Sequence, residues 1–114
     1  MKIAYIAGPY RAETPHRTLQ NISSAESAAI ALWRLGYAVI CPHKNSSWFD
    51  GSCEDSVFLK GYLEILRHCN LMVLFGNWYS SNGTLIEREI ALEIDIPIFI
   101  YPNELEKIGE FAVI

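Results

Sequence analysis

The feature that most constrains this chain is an alternation of two kinds of apolar pattern. Residues 2–7 (KIAYIA), 37–41 (YAVIC), 71–75 (LMVLF) and 96–101 (IPIFIY) are short and apolar nearly throughout, and the first three end at Gly8-Pro9, Pro42 and Gly76. Between them lie segments whose apolar residues recur every third or fourth position: Ile22, Ala25, Ala29, Leu32 and Trp33 in 20–35, then Phe58, Tyr62, Ile65 and Cys69 in 56–69, then Ile86, Ile90 and Ile94 in 82–94. The first kind predicts strands buried on both faces and the second predicts amphipathic helices. Gly36 stands where a helix C-terminus favours glycine, and residues 103–108 predict a short last helix. The order is βαβαβαβ plus a helix. Strands without polar alternation, each followed by a helix, predict a parallel sheet covered on both sides with right-handed crossovers. The expected fold is therefore α/β, a small doubly wound sheet of flavodoxin type in three layers, with strand order 2-1-3-4. The apolar end Phe111-Ala112-Val113-Ile114 predicts either an added edge strand or a contact with a partner subunit.

Composition narrows the class. The 114 residues suit one domain over 1–114, without repeat or linker. With 51% apolar and 19% charged residues the chain has enough apolar side chains for a packed core, which excludes disorder. Nine basic against thirteen acidic residues give −4, which argues against binding a nucleic-acid polymer. A single nucleotide needs only a few donors and is not excluded. The opening residues reach Gly8-Pro9 before a signal-peptide core could form, and no apolar run is long enough to span a bilayer, so no membrane partner is expected. Three cysteines, Cys41, Cys53 and Cys69, without a C-x-x-C pair, fit a reducing cytoplasm.

In doubly wound sheets ligands bind beyond the carboxyl ends of the strands. Here that edge is expected to comprise residues 8–19, 42–55, 76–83 and 101–103. In the first loop Gly8 and Pro9 allow close backbone approach, Tyr10 offers a ring and a hydroxyl, and Arg11 offers a fork for phosphate or carboxylate. The second loop carries His43, Trp48, Phe49 and Asp50; aromatic rings in a polar loop suggest a lid or an oligomer contact. Cys41 and His43 lack partners at zinc-ligand spacing, so no metal is expected. The last loop leads into the helix bearing Glu87, where Ser81, Gly83 and free amides suit an anion, although Ser81 or Asn82 also suits simple capping. By spacing alone Tyr10 fits an exposed turn and Glu87 a solvated helix face. No dinucleotide fingerprint, P-loop or nucleophile elbow occurs, and no cofactor is expected.

Taken together, Tyr5-Ile6-Ala7-Gly8-Pro9-Tyr10, Gly36-Tyr37, Pro42-His43 and Ser81-x-Gly83-x-x-x-Glu87-x-x-x-Ala91 resemble the nucleoside 2-deoxyribosyltransferase superfamily, and within it a group of small bacterial and phage domains. The resemblance runs over nearly the whole chain and implies the same fold. It also implies cleavage of the N-glycosidic bond of a nucleoside or nucleoside 5′-monophosphate, by hydrolysis or by pentosyl transfer, with Glu87 as nucleophile. It places Ser81 at a 5′-phosphate and Tyr10 in the pocket wall, where it would orient the nucleophile. The helix dipole is expected to favour ionised Glu87. A homodimer or higher homo-oligomer is implied as well, with the apolar tail and Trp78-Tyr79 suited to such contacts. Two positions depart from the pattern: Tyr62 and Asn70 stand where aspartate is usual, and the paired loss is expected to remove acid from the base side. Asp50 or Asp55 could substitute. Two further readings stay open, a nucleotide sensor without turnover and an accessory domain that binds a protein through Trp48, Phe49 and Trp78.

Overall fold

A computed structural model describes all residues, 1–114. Four strands, β1 (Ile3–Ala7), β2 (Ala38–Ile40), β3 (Leu71–Phe75) and β4 (Ile98–Tyr101), form one sheet in the order β2-β1-β3-β4. Every pairing is parallel; Tyr5 lies opposite both Ile40 and Met72, and Val73 opposite Phe99. The helices are α1 (Pro15–Arg34), α2 (Pro42–Asn45), α3 (Asp55–Leu66), α4 (Asn82–Glu93) and α5 (Leu105–Ala112), with a 3-10 turn at Trp78–Ser80. The three-layer doubly wound architecture is the one expected. No helix is long and apolar enough to cross a membrane.

Successive side chains of a strand leave opposite faces of the sheet, so each strand divides its residues between two cores. Ala4, Ile6, Leu71, Val73 and Phe75 pack with Ala25, Ala28, Ala29 and Leu32 of α1 and Ile108 of α5. Tyr5, Ala7, Met72 and Leu74 pack on the other side with Leu66, Cys69 and Ala91. Gly36, at φ +98°, turns the chain out of α1, and Tyr37, buried just before β2, donates its hydroxyl to Ile108 O at 2.6 Å. That bond ties α5 to the α1 side of the sheet.

Local detail departs from expectation in several places. α1 starts at Pro15, five residues early, because Thr14 caps it by accepting from Arg17 N at 3.1 Å and proline suits the first turn. Trp33 is 56% exposed and outside the stripe that packs, which instead includes Thr18 and Ala28. The tail is not an edge strand: residues through Ala112 extend α5, and Phe111 packs against Phe99 at 5.9 Å. Val113 and Ile114 alone point outward. Most important for the site, α4 buries its isoleucine row only in part: Ile90 packs against the Tyr5 side of the sheet, but no isoleucine of the row is fully buried. Ile86 is 43% exposed, whereas Thr84 and Ala91 are buried. Glu87 lies one turn from each and shares their inward side.

Candidate functional site

The carboxyl ends of β1, β2 and β3 release loops that meet α3 and α4 around a cleft. One part of it is a cavity of about 220 Å³. Gly8, Tyr10 and Arg11 come to it from the first loop, Pro42, His43, Ser46 and Asp50 from the second, Phe58, Leu59 and Tyr62 from α3, and Ser81, Gly83, Thr84 and Glu87 from the start of α4. A larger polar cleft, of about 860 Å³, adjoins it across Arg11, Asp55 and Ser81, lined further by Pro9, Arg17 and Asn82.

Glu87 is the half-buried carboxyl of this cavity. The hydroxyl of Tyr5, a fully buried residue in the middle of β1, donates to Glu87 Oε2. Burial pushes the Glu87 carboxyl up to about 7, and the Tyr5 hydroxyl offsets only part of that rise. Desolvation thus opposes the ionised state expected from the helix dipole, and near pH 7 the carboxyl is shared between its two forms. Burial first, and then the facing carboxylate, hold the Tyr5 hydroxyl far above its ordinary value, so it remains a donor.

Tyr10, expected to orient Glu87, is engaged elsewhere. Its hydroxyl donates to Asp50 Oδ1 at 2.7 Å and accepts from Trp48 N at 2.8 Å, while its carbonyl accepts from Asn21 Nδ2 at 2.9 Å. Arg11 forks between Asp50 and Asp55, each at 3.0 Å. The Tyr10 hydroxyl first, then Arg11, hold the Asp50 carboxyl below its ordinary range, and Arg11 does the same for Asp55. These bonds strap the first two loops to the start of α3 at the cavity mouth.

His43 is buried in the wall, its Nε2 2.8 Å from the Pro9 carbonyl. A carbonyl only accepts, so Nε2 carries the proton and Nδ1 a lone pair, which finds no partner. Burial lowers the pKa of the ring and keeps it neutral. The ring stands edge-on to Phe75 at 5.1 Å and to Tyr10 at 5.9 Å. Gly8 is required by the same packing: a Cβ there would come within 2.4 Å of the Phe75 ring, so the close approach is by a core side chain. Ser81 caps α4, its hydroxyl accepting from Thr84 N at 3.3 Å and from Thr84 Oγ1 at 2.9 Å. The Asn82 and Gly83 amides precede any intrahelical acceptor and remain donors at this end.

The cavity therefore unites Gly8, Tyr10, Arg11, His43, Asp50, Ser81, Gly83 and Glu87. Pro9 lines the adjoining cleft, and Trp48, at φ +65° and 55% exposed, touches the site through its backbone amide. Residues 101–103 line neither cleft. Trp78 packs on the α4 side of the sheet beside Arg88 instead of standing free. The expected paired loss of acids separates in space. The Tyr62 hydroxyl is in the cavity wall, 2.6 Å from Ser46 Oγ. Asn70 lies at the opposite, amino edge, where its Oδ1 accepts from Ile3 N at 2.7 Å. Sequence reasoning did not select Tyr5, although a tyrosine inside an apolar strand must find a partner for its hydroxyl. No group of three or more His, Cys, Asp or Glu is arranged to hold a metal ion.

Fold and cleft together define an α/β protein with a carboxyl-containing pocket at the switch point of a parallel sheet. The chain belongs to the family described as a domain of unknown function, DUF4406, whose model matches residues 1–100. No curated protein sequence matches it. Among solved structures it is similar to the 2-deoxyribosyltransferase of the psychrotolerant bacterium Bacillus psychrosaccharolyticus, with 22% identity over 86% of this chain and 70% of that one and a TM-score of 0.64. It is also similar to the CMP N-glycosidase BcmB of Clostridium botulinum, with 17% identity over 96% of this chain and 81% of that one and a TM-score of 0.59. These likenesses establish a nucleoside 2-deoxyribosyltransferase-like fold.

Proposed function

We propose that this chain cleaves the N-glycosidic bond of a nucleoside or nucleoside 5′-monophosphate, with Glu87 as nucleophile. The observation that carries the reading is the inward carboxyl of Glu87, held by the Tyr5 hydroxyl beneath a cavity at the carboxyl edge of the sheet. A carboxylate against an anomeric carbon can form a glycosyl ester that water or a second base resolves. Tyr5 is the positioning residue, and the desolvated carboxylate is a stronger nucleophile once ionised. Ser81, Gly83 and the first amides of α4 hold the anionic end of the substrate, with Arg17 in the adjoining cleft. Tyr10 and Arg11, fixed by Asp50, shape the mouth, and Gly8, Pro9, His43 and Trp48 support that wall. The same reading takes 1–114 as one unit, needs no cofactor, and places a homodimer in the cytoplasm, with Tyr79, Val113 and Ile114 as the apolar side chains left outward for it.

The test is release of free base from a panel of nucleosides and 5′-monophosphates. Turnover by the native chain and its loss in Glu87→Gln support the reading; equal silence of both refutes it. Tyr62, a neutral side chain in the cavity wall, favours a second reading, nucleotide binding without turnover. A rise in melting temperature with a nucleotide and no base release would select that reading.

A further inference from the structure

Apart from the Ser81 hydroxyl at the anion-binding end of α4, the hydroxyls and carboxyls of the cavity wall are already engaged, the Thr84 proton going to Ser81 Oγ, and this bears on which base can leave. The Tyr10 proton goes to Asp50, and the Tyr5 proton to Glu87. Tyr62 and Ser46 share one bond at 2.6 Å, and the Pro42 carbonyl lies 3.4 Å from Tyr62 and 3.5 Å from Ser46. If Tyr62 donates to Ser46, Ser46 donates to Pro42; if Ser46 donates to Tyr62, Tyr62 donates to Pro42. In both arrangements the phenolic proton points at a protein acceptor, and Asn45 Nδ2 supplies Tyr62 with a further donor at 3.0 Å. Asp50 and Asp55 are kept ionised by Arg11. His43 donates to a backbone carbonyl and is neutral. Among charged side chains the cavity sets one base, Arg11, against three acids, Asp50, Asp55 and Glu87, beside the rings of Tyr10, Phe58 and Tyr62.

We infer that the substrate carries a cationic base: a nucleoside or nucleotide whose heteroaromatic ring bears a positive charge while joined to the sugar, such as an N-glycosyl pyridinium or an N7-alkylated purine. The inference rests on the glycosidic reading above. A neutral base departs as an anion and requires a proton in the transition state, which a positioned acid typically accelerates by about 10²–10⁴-fold. A cationic base requires none. The Glu87 carboxylate bonds to the anomeric carbon as the bond to the ring nitrogen breaks, and its electron pair passes to that nitrogen, which becomes neutral. Water then attacks the anomeric carbon, the bond from that carbon to Glu87 breaks with its electron pair returning to the carboxylate, and the water proton goes to solvent. The acidic wall and the aromatic faces attract the same cation in the ground state.

The test compares 7-methylguanosine with guanosine, and nicotinamide riboside with its uncharged dihydro form, each with and without a 5′-phosphate, following base release by chromatography and subtracting the enzyme-free rate. The expected result is a kcat/KM for the cationic member at least about 10²-fold above its neutral partner, lost in Glu87→Gln. Equal or better cleavage of the neutral members overturns the inference and leaves the glycosidic reading standing. Cationic cleavage that persists in Glu87→Gln overturns it, because the chemistry would then lie outside this cavity. Silence across all members overturns both.

Discussion

Replacing Glu87 by glutamine isolates the energetic consequence of burying this carboxyl. Glu87 titrates at about 7 in the folded protein against an ordinary 4.5, so between those values the native state holds a proton that the unfolded chain has released. Its favourable contribution is full below pH 4.5 and is lost as pH rises through 7. At about 1.4 kcal/mol for each tenfold change in proton affinity, the ionised carboxyl lowers stability by about 3 kcal/mol above pH 8. Glutamine keeps an acceptor for the Tyr5 hydroxyl and carries no charge. Glu87→Gln is therefore expected to be more stable than the native chain by about 3 kcal/mol at pH 8, or about 10 °C in melting temperature for a domain of this size. The gap should close by pH 4. His43 works in the opposite sense: its lowered pKa makes stability fall as pH drops below its ordinary 6.5. Because His43 is present in both proteins, the difference between their urea-unfolding free energies from pH 4 to 8 reports Glu87 alone. A difference that stays flat, or a glutamine variant less stable at pH 8, would refute the inward, desolvated placement of this side chain.

Other outcomes follow from the same geometry. Tyr5→Phe strips Glu87 of its donor; it should lower stability at pH 8 by about 1–3 kcal/mol and move the Glu87 titration upward, both measurable by unfolding and by NMR of the labelled carboxyl. Gly8→Ala forces a methyl into the Phe75 ring and should destabilise by about 1–3 kcal/mol; recovery in the double variant with Phe75→Leu would identify that clash as the cause. Phe111→Ala should lower stability by about 2–4 kcal/mol at any protein concentration, because the ring packs on its own sheet; a loss seen only as dissociation would place the ring between subunits. Light scattering is expected to give the mass of a dimer, and a monomer at all concentrations removes that part of the proposal.

How far the sequence reaches can be judged residue by residue. KIAYIA, YAVIC, LMVLF and IPIFIY are apolar on both faces, and that pattern admits only a sheet covered on two sides; the intervening stripes supply the covers. Right-handed crossovers restrict the strand order, but where the winding reverses, giving β2-β1-β3-β4, is decided by how the helices pack on the two faces. The clustering of loops at one edge follows from the pattern, so Gly8, Tyr10, Arg11, His43, Asp50, Ser81 and Glu87 were legible as neighbours. Their bonds were not. Which tyrosine faces Glu87 depends on the pleat, since Tyr5 leaves the sheet toward α4 while Ile6 leaves it toward α1.

The rotation of α4 about its axis is the clearest case of this division. In sequence, Ile86, Ile90 and Ile94 form the more apolar row, and Glu87 beside Arg88 and Glu89 resembles a solvated face. In the folded chain Thr84 and Ala91 are the buried side chains of α4, Ile90 packs only partly and Ile86 faces outward, and Glu87 follows Thr84 and Ala91 inward to the Tyr5 hydroxyl. Asn70 shows the same limit from the other side, since only the fold reveals that it sits at the amino edge, far along the strands from Tyr62. Local pattern determines which segments become strands and helices because backbone hydrogen bonding and apolar burial act over a few residues. Which side chains meet, and with what charge, is decided only when separate segments exclude water from a shared space.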